Sequence, residues 1–164
     1  MRRTKRYRLE GDKNPLFHIY ETVSFWKTFK NTVVIEIGRF TPTARLKNEL
    51  YRSLLRMNIG EGSALAYKVV PDIMFPEHIV IGNNTIIGYN TTILAHEYLT
   101  NEYRIGPVVI GDNVMIGANC TVLPGIEIGD GAVVSAMTLV NRDVPAGAFV
   151  GGNPMVIKPV STKS

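Results

Sequence analysis

The chain has 164 residues, 45% of them hydrophobic and 20% charged, with a formal net charge of +4. That is one domain's worth of chain with enough apolar residues for a core, which excludes disorder as the default. A single cysteine excludes an internal disulfide and a cysteine-rich zinc cluster, and fits a reducing compartment.

The chain opens on MRRTKRYR, with Arg2, Arg3, Lys5, Arg6 and Arg8 in eight residues. No apolar segment follows, so no secretory signal is expected. No run approaches the roughly 20 apolar residues that cross a bilayer. A soluble, cytoplasmic protein is the expectation. The basic cluster reads as a solvated, frayed tail, with weak contact to an anionic membrane surface as its functional alternative. Without a Cys/His finger or a helix-turn-helix pattern, nucleic acid is not an expected partner.

Asn14 and Pro15 are a cap and a first helical residue. Leu16, Ile19, Tyr20, Val23 and Trp26 then share one side at helical spacing, so a helix is predicted over about 15–30. The β-branched NTVVIEIGRF is more strand-like, with continued helix as the alternative. PTARLKNELYRSLLRMN reads as another helix, packing through Ala44, Leu46, Leu50, Leu54 and Leu55. Residues 1–58 are therefore expected to form a mostly helical cap with a basic tail. Peripheral membrane contact is a second reading of its aromatic stripe.

From residue 59 onward the grammar changes. Ile81, Ile87 and Ile93 are six apart, and so are Ile110, Ile116, Val122, Ile128, Val134 and Val140. On a helix, starts six apart rotate by about 240° net and make no stripe. Six residues do suit a short strand and a tight turn. Thr85, Thr91, Val114, Cys120, Ile126, Ala132, Thr138 and Val144 stand four residues after the starts and can face the same interior as them. Cys120 is thus a small buried hydrophobe. Asn84, Asn90, Asn113, Asn119, Gly125 and Gly131 stand three after their starts, where a turn favours positive φ. Three such edges make a triangular coil, and stacked coils bury a continuous core.

This repeat resembles the hexapeptide, left-handed parallel β-helix of acyltransferases, over about 59–155, with 156–164 left as a C-terminal tail. The hand comes from the resemblance. IGEGSALAYKVVPDIMFPEH reads as an irregular first coil.

The six-residue beat fails between Ile93 and Ile110, where AHEYLTNEYRIGP must leave the wall as a loop over 95–107. His96 stands at its departure. The stretch from TTILAHEY to SAMTLV resembles acetyltransferases of the maltose, galactoside and capsular-sugar kind, in which a histidine at this place is the general base. The resemblance implies that His96 takes a proton from an acceptor hydroxyl, that of a sugar or glycan precursor, attacking acetyl-CoA. It also implies a homotrimer with CoA between subunits and no metal. Imidazole, with a pKa of about 6.5, suits the task. His18 reads as structural. His78 lies eighteen residues before His96, one coil if register holds. Glu97, Glu77, Asp72 and Glu102 all stand as partners for the imidazolium.

For CoA, the resemblance marks Gly117, Ala118 and Ala136 on the pantetheine arm and Arg142 near the phosphates. Val156 replaces a basic residue found in many relatives, so Lys158 or Lys163 would substitute. Met115 stands where sugar acetyltransferases often have Trp. Three alternatives remain: an amine acceptor, a non-catalytic β-helix scaffold, and a metal enzyme of the γ-carbonic anhydrase kind, which needs three histidines where this chain has three in total.

Overall fold

The computed structural model describes residues 2–8 and 14–158. From Asn58 the chain winds into a three-sided parallel β-helix of two- and three-residue strands. The interior is three ladders of aliphatic side chains. Ile59, Ile81, Ile110 and Ile128 line the first face. Leu65, Ile87, Ile116, Val134 and Val150 line the second. Pro71, Ile93, Val122 and Val140 line the third. All of these are buried, and each large aliphatic contributes about 1.5–3 kcal/mol by leaving water.

The turns follow the predicted grammar. Asn84, Asn90, Asn113, Asn119, Gly125 and Gly131 all have φ between 51° and 76°. Lys68 and Met137 occupy equivalent corners at φ 60° and 63° without being Asn or Gly. The threonines at fifth positions are buried because the wall uses their hydroxyls. Thr85 Oγ1 donates to the Gly111 carbonyl at 2.8 Å and accepts from the Val114 amide at 3.0 Å. Gly88 is needed for close approach, since a Cβ there would sit 2.5 Å from the Gly117 carbonyl carbon.

Register shows where the sequence reading needs correction. The first coil is regular on all three sides. Its partners lie 22 residues on, as in Ile59 to Ile81, so the four extra residues are confined to the corner at 72–78. His78 is consequently not one coil from His96. At the other end, Ile128 bridges Val144 and Val134 pairs with Val150. The corner at 141–143 is therefore two residues short, and Val144 is a start and not a fifth position.

The N-terminal part also differs. The helix expected over 15–30 is broken into a 3-10 turn Pro15–His18, a single turn Ile19–Thr22 and a long helix Phe25–Phe40. Val23 turns extended to bury its side chain, and the Ser24 hydroxyl caps the new helix at the Lys27 amide. The strand-like NTVVIEIGRF is thus helix. Tertiary packing decides this, because Val34, Ile35 and Gly38 are buried on one helical face and Gly38 lies against the Tyr51 ring. A second helix, Ala44–Leu55, ends on Arg56 in the left-handed region. It buries Lys47, whose ammonium donates to the carbonyls of Leu65 and Ala66. Both helices lie against the first coil.

The basic tail is not frayed. Lys5–Arg8 forms a strand antiparallel to Glu102–Ile105, which is itself antiparallel to His96–Tyr98. The loop at 95–107 is thus a hairpin completed by the N-terminus. It adds eleven residues to the 18-residue coil, since Ile81 pairs with Ile110, 29 residues on. Val156–Lys158, assigned to the C-terminal tail, forms an antiparallel strand on Phe149–Gly151.

Candidate active site

His96 is the first residue of the hairpin, where the third face ends and the chain leaves the wall. Beside it, the long first corner folds Asp72 inward until its side chain is fully buried, while the His96 side chain stays 16% exposed. Every lone pair of the carboxylate is used. Oδ1 accepts from the amides of Met74 and Phe75, both at 2.8 Å. Oδ2 accepts from the Ala95 amide at 2.7 Å, the His96 amide at 3.0 Å and His96 Nδ1 at 2.6 Å.

Burial raises the pKa of Asp72, but the hydrogen bonds and charge of His96, with those from the backbone, outweigh it and hold the group below the usual carboxylate range. An ionised carboxylate only accepts, so Nδ1 is the nitrogen that donates to Asp72, and in the neutral ring the lone pair is on Nε2. The other three carboxylates named as partners are engaged elsewhere. Glu77 pairs with Lys27, Glu102 with Arg104, and Glu97 with Arg2 and Arg104.

Aromatic rings flank the imidazole. Phe75 lies 6.0 Å away and Tyr98 5.6 Å away, both edge to face. Tyr98 touches Tyr103, which stacks on Tyr7 of the N-terminal strand at 4.7 Å. Burial raises the Tyr98 pKa. Arg2 grips Glu97, next to His96, with two bonds of 2.8 Å. Those bonds and the charges of Arg2 and Arg104 overcome partial burial to lower the Glu97 pKa. Arg3 binds the Gly125 carbonyl and reaches Glu127 and Asp143 in later coils. The arm therefore ties the hairpin to the wall.

Sequence reasoning missed Phe75, Tyr98 and the arm. The doubled Glu-Tyr of HEYLTNEYRI was the available hairpin signal, since Tyr98 pairs with Tyr103 and Glu97 with Arg104. Nothing local marks a contact between Arg2 and Glu97.

The remaining candidates lie apart from His96 within one chain. Gly117, Ala118 and Ala136 share the corner that enters the third face on two successive coils, while His96 is at that face's exit. Exposed Arg142 sits at the exit corner two coils further on and donates to the Met155 carbonyl at 3.0 Å. Lys158 is exposed on the second face, over the Phe149 ring at 5.6 Å. Lys163 lies outside the described residues. His18 is on the surface beside Glu21, and His78 beside Phe75. Cys120 is buried, and burial pushes its thiol pKa up. Met115 points outward on the second face.

The chain is thus a coil of six-residue sides interrupted by one hairpin, with a carboxylate-held imidazole at the hairpin's base. The description "hexapeptide repeat of succinyl-transferase" matches residues 107–140. The chain is 64% identical over 157 residues to the "Putative acetyltransferase YvoF" of Bacillus subtilis, covering 96% of this chain and 91% of that one. It belongs to the hexapeptide-repeat acetyltransferases. In fold it resembles the Vibrio cholerae hexapeptide-repeat acetyltransferase VCA0836 complexed with acetyl-CoA, at a TM-score of 0.68 and 23% identity, over 80% of this chain and 85% of that one. A maltose O-acetyltransferase from Clostridium difficile matches at a TM-score of 0.65 and 20% identity, over 81% and 85%.

Proposed function

We propose that the protein transfers an acetyl group from acetyl-CoA to a hydroxyl of a small acceptor, a sugar or glycan precursor, with His96 as general base. The observation that carries this reading is the Asp72–His96 pair, which holds Nδ1 and leaves Nε2 as the nitrogen open to an acceptor at the base of the hairpin. The acceptor oxygen attacks the thioester carbonyl carbon as Nε2 takes its proton. The tetrahedral intermediate then collapses, the C–S bond breaks, and the imidazolium returns the proton to the departing CoA thiolate. Asp72 keeps the ring in one tautomer and stabilises its charged form.

The family relationship and the acetyl-CoA complex of the V. cholerae neighbour support the donor. The flanking Phe75 and Tyr98 suit the apolar face of a sugar ring. We further propose a left-handed coil and a homotrimer. Gly117, Ala118 and Ala136 would hold pantetheine, with Arg142 and Lys158 near the phosphates. The separation of His96 from that corner favours a site completed by a second copy.

The test is CoA release with a panel of sugars, amino sugars and hydroxy amino acids. His96→Ala is expected to lower kcat by about 10²–10⁴-fold while acetyl-CoA still binds. Unchanged turnover with the true acceptor would remove His96 from the role.

A further inference from the structure

The helix Phe25–Phe40 has two apolar faces, and the fold uses one. Val34, Ile35 and Gly38 are buried against the protein. On the opposite side Trp26, Phe29, Val33, Ile37 and Phe40, spaced by three or four residues, form a stripe with exposures of 74%, 53%, 43%, 58% and 53%. Leu16, Phe17 and Tyr20, exposed just before the helix, add to the apolar surface at its start. At the far end the stripe continues over Tyr67 and Tyr89, through ring contacts of 5.7 and 6.1 Å. Soluble surfaces rarely leave so much contiguous apolar area open.

Charge separates along the same division. Residues 1–58 hold thirteen of the eighteen Lys and Arg but five of the fourteen Asp and Glu, whereas the remainder is net negative. Cations sit along the stripe's edge. Lys68 lies 5.5 Å over Tyr67 and Arg39, paired with Glu36, lies 5.9 Å over the Phe40 ring, while Lys30 stands one helical step from Trp26 and Val33 with its ammonium on the Leu54 carbonyl at 2.6 Å. Long cationic side chains edging an aromatic surface are what an interfacial helix presents to headgroups. Among the described residues no helix is long and apolar enough to cross a membrane.

We propose that this stripe seats the protein on an anionic lipid bilayer, with the helix Phe25–Phe40 lying in the interface plane. The contact is made by the helix, which carries the exposed apolar stripe, whereas in the basic N-terminal cluster Arg2 and Arg3 are committed to Glu97, Glu127 and Asp143. The helix also adjoins the candidate site, because Lys27 lies 4.9 Å over Phe75, the ring beside His96.

Trp26 is the only tryptophan, so the stripe carries its own reporter. The full chain is mixed with phosphatidylcholine vesicles with or without phosphatidylglycerol, and sedimentation and Trp26 emission are read together. Co-sedimentation and a blue shift with the anionic vesicles are expected. Phe29→Ser/Ile37→Ser should weaken partitioning by tenfold or more while keeping the reporter, and Lys30→Glu/Lys68→Glu should remove the preference for phosphatidylglycerol. Acetyl-CoA binding without vesicles, measured by calorimetry, stays at the wild-type value in both variants and shows that they fold. An unshifted emission with protein left in the supernatant overturns the proposal. So does a fall in particle mass in the Phe29/Ile37 variant without vesicle binding by the wild type, which makes the stripe a subunit interface. Neither result bears on acetyl transfer, which the CoA-release assay reads separately.

Discussion

The coil and the N-terminal 58 residues solve the problem of apolar side chains in opposite ways. Every ladder position of the coil points into a shared interior, so its period is visible in the chain and its burial is complete. The helix Phe25–Phe40 carries apolar residues on two sides and buries one of them. A repeat discloses its core through periodicity, whereas a helix with two apolar sides conceals which of them is core until a partner is present. The same contrast holds for polar groups. The coil satisfies its buried hydroxyls within the wall, while the cap buries Lys47 against carbonyls.

The sharpest test of the comparison is chemical, at the seam between the two parts. Asp72→Asn keeps the size of the side chain but replaces one acceptor oxygen by an NH2 that faces donors, either the Met74 and Phe75 amides or the Ala95 and His96 amides and Nδ1, so the imidazole loses its fixed tautomer. It is expected to lower kcat by about 10³–10⁴-fold, read by CoA release, with acetyl-CoA affinity unchanged. Next comes packing. Ile116→Ala should cost about 2–5 kcal/mol in denaturant unfolding. Ile37→Ala on the open stripe should stay within about 0.5 kcal/mol. Equal costs would mean that the stripe is covered in the folded protein.

The arm gives a smaller effect. Arg2→Gln is expected to lower kcat by about tenfold without changing the KM for acetyl-CoA, because the hairpin under His96 loosens. Partial recovery with the exchanged pair Arg2→Glu/Glu97→Arg would assign the effect to that contact. Acid should act at Asp72 as well. Its native pKa lies below the ordinary 3.8, so its contribution is present above that value and is lost as pH falls through the lower native one. The acid-unfolding curve of Asp72→Asn should accordingly be flatter at that limb than the wild type's. The smallest change expected is a gain. Met137 holds φ 63° on the surface, and Met137→Asn should raise stability by about 1 kcal/mol in thermal unfolding.

Much of the coil was legible because its physics is local. The aliphatic starts, the Asn and Gly corners and the broken beat before Ile110 each follow from one six-residue unit. The place of His96 at the loop's departure was legible for the same reason, since a regular wall makes a departure conspicuous. The choice of Asp72 over Glu97, Glu77 and Glu102 was not, because it depends on a corner four residues longer than the repeat.

The sequence by itself determined the triangular coil, its turn chemistry and the place where a loop must leave it, since these depend on spacing along one chain. Tertiary structure alone decided that NTVVIEIGRF is helix and that the basic N-terminus is a hairpin strand. It also decided that Asp72 holds His96 and that one helical face stays open. Each of these rests on contacts between residues far apart in the chain, and such contacts leave no period to read.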